Sequence, residues 1–282
     1  MDAARRKELA LQAMKIRTVG LEMVKTARSG HIGGAFSLSE IMSVLYFDKM
    51  NIRPEDPKWE DRDRFVMSKG HCTVALYPTL ALRGFFDLEL LKTFRKADGH
   101  LSGHVEMKYV PGVDMSTGSL GQGFSTALGM ALAGRVSGKD YYTYAVMGDG
   151  EIAEGQIWEA CLYAGAHKLD HLIGIVDSNK VQLDGTVKQV LDTGDLSAKF
   201  ESFGFHVQSI DGHDVEAISD AIDCAKATPG KPHMIIANTV KGKCVSFMEG
   251  RSQWHGKTPN DEQFDLAFAD LAAITKEVEN NG

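Results

Sequence analysis

The stretch YYTYAVMGDGEIAEGQIWEACLYAGAHKLDHLIGIVDSN, residues 141–179, decides how this chain reads. Its opening YYTYAVM (141–147) is aromatic and β-branched, which predicts a strand. Residues 154–169 carry Ile157, Trp158, Cys161, Leu162 and Leu169 on one broad apolar stripe, which predicts a helix. HLIGIVD (171–177) is a continuous apolar run and reads as a second, buried strand. Strand, helix and strand in that order place both strands parallel, so their carboxyl ends face the same way. Gly148-Asp149-Gly150 follows the first strand and Asn179 the second, with 28 residues between. Both stand at the sheet edge where α/β proteins bind ligands.

A carboxylate and an amide oxygen are hard donors. They suit Mg²⁺, which takes one or two protein carboxylates and fills its shell with water and phosphate oxygens. Gly150 lets a diphosphate approach the backbone, and the following helix offers N-terminal N–H groups to that anion. Alone, GDG reads as a tight turn and Asn179 as the start of another. Their pairing after parallel strands shifts the reading to a metal–diphosphate site.

Working outward, a long helix is predicted over 3–27 and is broken by SGHIGGAF (29–36). Ser37 and Glu40 match the S-x-x-E capping box, opening a helix through about Lys49. A strand follows at 63–68, helices at 72–83 and 87–96, a glycine-rich loop region at 98–123 and a helix at 124–136. Beyond the central unit come a strand at 206–211, a helix at 214–227, a strand at 233–240 and a helix at 261–279. This alternation predicts an α/β fold with a mainly parallel sheet and helices on both faces. No repeat or linker-like tract interrupts it, so residues 1–282 are expected to form a single domain.

The charge balance is 31 Lys+Arg against 38 Asp+Glu, a net −7 that argues against nucleic-acid binding. No apolar run approaches the ~20 residues that span a bilayer, and the charged N-terminus has no signal-peptide core. Cys72, Cys161, Cys224 and Cys244 form no CxxC pair, and a reducing cytoplasm is the simplest setting. The 29 glycines exceed the ~20 expected at average usage, and they cluster in short loops.

Of ten histidines, His31, His71 and His104 each follow a glycine and His255 follows Trp254, in loops with room for a ligand. His100 and His104 have ligand-like spacing, but Gly99 and Gly103 disfavour a helix and no third donor is evident, so no zinc site is expected. His167 and His171 read as polar surface, and His206, His213 and His233 as structural. GSLGQG (118–123) contains a G-x-G, but no strand precedes it, which weakens a dinucleotide reading.

SGH (29–31), SKGH (68–71), SGHVE (102–106), STGSLGQG (116–123), GDGEIAEGQ (148–156) and WHGK (254–257) occur in one order along the chain. The series, with Asn179, resembles the thiamine-diphosphate-binding fold and, more narrowly, the transketolase family. The resemblance covers most of the chain. It implies that Asp149, Asn179 and the backbone carbonyl of Val181 hold Mg²⁺ against the cofactor's diphosphate. It implies diphosphate contacts from His71 and Gly150, backbone contacts from Gly118, Ser119 and Leu120, and an approach to the cofactor by Lys241. His31, His104 and His255 are expected around the reactive carbon and the sugar hydroxyls, with His255 touching the cofactor too. Glu154 is expected in a proton relay near an interface. Ile32, Cys72 and Ser119 stand where the family commonly has Pro, a small residue and Pro.

Full-length transketolases continue into pyrimidine-binding and C-terminal domains, and the pyrimidine-binding domain carries the glutamate that activates the cofactor. The resemblance therefore implies a split enzyme: this chain is the diphosphate side, and a second subunit supplies the rest in an α2β2 heterotetramer with an exposed apolar docking surface. The expected reaction is transfer of a two-carbon ketol unit from a ketose phosphate to an aldose phosphate, as in the pentose phosphate pathway. A specialised sugar (a branched-sugar phosphate or a sulfo-sugar), a non-catalytic cofactor-binding module and a nucleotide-binding enzyme are the competing readings.

Overall fold

The computed structural model describes residues 1–281, with backbone alone for Asn281. Five strands form one parallel sheet: β1 (Arg64–Met67), β2 (Thr143–Gly148), β3 (Leu172–Ser178), β4 (His206–Asp211) and β5 (His233–Asn238). Their order is β1-β2-β3-β5-β4, and every pairing is parallel. The helices are α1 (Ala3–Ala27), α2 (Gly33–Phe36), α3 (Ser39–Val44), α4 (Thr73–Arg83), α5 (Gln122–Val136), α6 (Gly155–Ala166), α7 (Val187–Leu191), α8 (Leu196–Ser202), α9 (Val215–Lys226) and α10 (Asp261–Asn281).

Period-two alternation sorts the strand residues between two cores. Phe65, Met67, Tyr144, Val146, Ile173, Ile175 and Ile235 join the cluster that includes Leu21, Leu80, Ile222 and Phe264, from α1, α4, α9 and α10. Val66, Ala145, Met147, Leu172, Val176, Met234 and Ile236 join Phe124, Ile157 and Phe200, from α5, α6 and α8. Helices therefore cover both faces, as an all-parallel sheet requires. Gly174, in the middle of β3, lets Met234 and Phe124 pack close, since a Cβ there would lie 2.6 Å from Met234 Cε and 3.2 Å from the Phe124 ring.

The capping box expected at Ser37 and Glu40 does not form. Ser37 ends α2, and its Oγ donates to Gly34 O at 3.0 Å and to Asp177 Oδ2 at 2.6 Å. Glu40 lies inside α3, which starts after Leu38 with no side-chain cap and passes into a wider π turn over Leu45–Lys49. Glu40 instead binds the fully buried Arg17 at 2.5 Å and His213 at 3.1 Å. Tertiary pairing has taken the groups that the local pattern assigned to a cap. The helix expected at 87–96 is a 3₁₀ segment, Leu88–Thr93, capped by Asp87. The short helices α7 and α8, opened by Thr186 and Asp195 caps, had no counterpart in the apolar periodicity.

Candidate active site

The carboxyl ends of β1, β2 and β3 open onto a cleft of about 310 Å³. Its wall includes His31, His71, His104 and His255, the 148–150 turn, Gly118, Leu120, Asn179, Val181 and Lys241. Sequence reasoning thus brought together residues from six separate loops. Ser119 and Glu154 lie outside the lining. Both are exposed, and Glu154 sits at the start of α6 against Gly121.

The loops are held by backbone contacts that need glycine. Val105 N donates to Gly70 O, and Thr117 N to Val105 O, each at 3.1 Å. The SKGH, SGHVE and STGS segments are therefore layered on one another. A Cβ at Gly70 would lie 2.5 Å from the Thr117 carbonyl carbon and 2.6 Å from Gly118 N. Glu151, buried at 2% exposure, ties the layers to the GDG turn: its carboxylate accepts from Ser68 Oγ, from Gly121 N at 2.9 Å and from Gly148 N at 3.1 Å.

Asp149 accepts from Gly150 N through Oδ1 and from Lys180 N through Oδ2. Each oxygen retains acceptor capacity, since an ionised carboxylate has about four lone-pair sites. Burial, reinforced by nearby Asp177, pushes the Asp149 carboxyl up to about 6. A cation at this carboxylate would reverse that cost. Asn179 Nδ2 donates to Asp177 Oδ2 and its Oδ1 accepts from Val181 N, each at 3.1 Å. That pair of bonds fixes the amide orientation and leaves Oδ1 a second lone pair. One carboxylate oxygen, one oriented amide oxygen and one backbone carbonyl are the donor types Mg²⁺ accepts. Among the described residues no group of three His, Cys, Asp or Glu side chains is placed to hold a metal ion, so a site here depends on amide and carbonyl donors.

Two lysines supply positive charge. Lys69 donates to Gly34 O at 3.0 Å and to the carboxylate of Asp177, which also accepts from Ser37, Asn179 and Thr239. Burial opposes both charges, but each holds the other ionised: Lys69 is raised and Asp177 lowered from their ordinary values. Lys241 donates to Val181 O at 3.1 Å and lies 3.1 Å from His255 Nδ1. Burial, then repulsion from Lys69, brings its ammonium down to about 8.

The imidazoles form one group, with ring centroids 4.9 Å apart for His71–His255, 5.4 Å for His31–His71, 5.6 Å for His31–His255 and 6.0 Å for His31–His104. His31, His71 and His255 depart from the ordinary imidazole value of ~6.5. Burial, with like charge from Arg95 and Lys241, takes His31 to about 4. Burial and Lys69 take His71 to about 2, and burial and Lys241 take His255 to about 3. All three are neutral at pH 7, each with one N–H donor and one acceptor nitrogen.

Sequence reasoning gave no role to Lys69, Glu151 or Asp177. Lys69 lay within a quoted motif, and Asp177 was the one charged residue in an otherwise apolar strand. Glu151 lay within the quoted GDGEIAEGQ (148–156), but nothing there separates it from a helix-opening acid.

Residues 9–271 match the family described as transketolase, thiamine diphosphate binding domain. The chain is 46% identical over 264 residues to the 6-deoxy-6-sulfo-D-fructose transketolase subunit of Clostridium sp. (strain MSTE9), covering 94% of this chain and 96% of that one. It is 42% identical over 276 residues to an apulose-4-phosphate transketolase subunit of Phocaeicola vulgatus, covering 97% and 98%. Against transketolase 2 of Escherichia coli it is 39% identical, covering 93% of this chain and 40% of the relative. The crystal structure of transketolase from Campylobacter jejuni superposes with a TM-score of 0.89 at 38% identity, over 94% of this chain and 42% of that one. The chain thus spans less than half the length of the solved transketolase.

Proposed function

The chain belongs to the transketolase family, and from that premise we propose that it is the diphosphate-side subunit of a two-subunit enzyme transferring a two-carbon ketol unit between sugars. Residues 1–282 act as one domain in this reading. The observation that carries it is that Asp149, Asn179 and Val181 line one cleft together with four imidazoles.

Asp149, Asn179 and Val181 O would hold Mg²⁺, and Gly150, His71 and Lys241 would receive the diphosphate. Backbone groups of Gly118, Ser119 and Leu120 would flank the cofactor. When bound, thiamine diphosphate supplies the nucleophilic carbon and the electron sink for two-carbon transfer. The protein's own groups orient and shield. His31, His104 and His255 meet the sugar's oxygens, which must lose a proton on the donor and gain one on the acceptor. Neutral His31 and His255 can each donate and accept one hydrogen bond to those oxygens, and an arriving anion favours their protonated forms. Glu154, exposed beside Gly121, would join a relay across a subunit boundary in this reading.

Two relatives named as subunits support the need for a partner; in this reading the partner carries the pyrimidine-binding and C-terminal halves and the assembly is α2β2. Leu183 at the cleft mouth is 61% exposed and Leu191 on α7 is 57% exposed, which suits a covered interface. The same relatives are named for a sulfo-sugar and a branched-sugar phosphate, and they favour a specialised sugar over the general pentose phosphates. All cysteines are free and no helix among the described residues is long and apolar enough to cross a membrane, which supports a cytoplasmic setting.

The test is reconstitution. Mixing the chain with a transketolase polypeptide of the missing half, Mg²⁺ and thiamine diphosphate should give ketol transfer from a panel of ketoses, with neither polypeptide active alone. Full turnover by this chain by itself would contradict the split-enzyme reading.

A further inference from the structure

We propose that Arg95 is the positioning residue that locks His31 as the Nε2–H tautomer, giving the cleft a hydrogen-bond donor of fixed identity. Arg95 Nη2 lies 3.1 Å from His31 Nδ1. A guanidinium has donors only, so Nδ1 must accept and the ring proton resides on Nε2. His31 lines the cleft, and in this proposal its Nε2–H is the donor offered to a ligand oxygen such as a sugar hydroxyl or carbonyl.

Three further observations show that this arginine is built in rather than incidental. Its backbone is left-handed, with φ 56°, a conformation that costs free energy in a residue with a Cβ and concentrates at functional positions. Its side chain is gripped on two sides. Nη1 donates to Ser29 Oγ at 2.7 Å, and the guanidinium packs against Gly103, where a Cβ would fall 2.6 Å from Nε. Its amide donates to Leu101 O at 2.8 Å. Arg95 therefore links the loop ending in His31 to the loop ending in His104, whose rings stand 6.0 Å apart. Nε is buried without an acceptor, a second cost that the placement of the fork imposes.

What the donor does for a sugar rests on the transketolase reading. The tautomer does not, and the test keeps them apart. Long-range ¹H–¹⁵N spectra of the full chain report which imidazole nitrogen bears the proton. Wild-type His31 should show an unprotonated Nδ1 and a protonated Nε2. Arg95→Met should move both nitrogens towards averaged positions as the tautomers mix, while Arg95→Lys, which also only donates, should keep the wild-type pattern. A protonated Nδ1 in the wild type overturns the proposal, as does a folded Arg95→Met protein whose His31 spectrum is unchanged. The wild-type spectrum decides the assignment even where Arg95→Met does not fold.

Discussion

Lys69 and Asp177 form an ion pair at the carboxyl end of β3 in which neither side chain reaches solvent, at 2% and 0% exposure. The aspartate accepts from Ser37, Thr239, Asn179 and Lys69, so it serves as the mount that orients Asn179, while Asp149 is the neighbouring carboxylate that keeps acceptor capacity at the cleft.

Two neighbouring carboxylates should then fail differently. Asp177→Asn strands a buried ammonium and should cost about 3–5 kcal/mol of stability. Asp149→Asn should leave the melting temperature within a few degrees of wild type or raise it, since its own ionisation is costly in the folded chain. Chemical denaturation of both variants checks this, and equal destabilisation would contradict the division of labour.

The Arg17–Glu40–His213 network joins α1 and α3 to the loop after β4. Burial works to raise Glu40, but Arg17 and His213 outweigh it and hold the carboxyl at about 2. A lowered folded value gives stability present above the unfolded carboxylate range of ~4.3 and lost as pH falls towards 2. Glu40→Gln should therefore lose stability at pH 7 and show a flatter decline on acidification. A parallel pH–stability curve for wild type and variant would count against the pair.

Gly70→Ala should disturb the cleft without unfolding the sheet. The added methyl meets the Thr117–Gly118 backbone and must push the 116–120 loop away. Loss of cofactor affinity by about tenfold or more, with far-ultraviolet circular dichroism unchanged, is the expected result from calorimetry and spectroscopy together.

His104→Ala should separate chemistry from cofactor binding. In the reconstituted enzyme, ketol transfer should fall by roughly 10²–10⁴, the usual contribution of a positioned proton-handling group, with cofactor affinity within about threefold of wild type. Normal turnover would remove His104 from the substrate's neighbourhood.

Much of this was legible in the sequence because parallel strands announce themselves twice, by apolar runs and by glycine-rich turns at their ends. GDG after 141–147 and Asn179 after 171–177 needed only chain order to converge. What local pattern could not show was where long side chains go. Ser37 and Glu40 satisfy a capping rule on paper, yet their partners lie 140 and 23 positions away in sequence, at Asp177 and Arg17. Arg95 shows the same limit: nothing in TFRKADG reveals a left-handed arginine reaching back to residue 31. The imidazole charge states were hidden for a related reason, since the cations that depress them along with burial, Lys69, Arg95 and Lys241, come from three different loops.

The proposed cation site of Asp149, Asn179 and the Val181 carbonyl is tested most directly by calorimetric titration of thiamine diphosphate into the assembled enzyme, with Mg²⁺ and with excess EDTA, for wild type and Asp149→Ala. Saturable binding that requires Mg²⁺ and vanishes in Asp149→Ala is the predicted result. Equal affinity with and without the metal, or an unchanged isotherm in the variant, would contradict it.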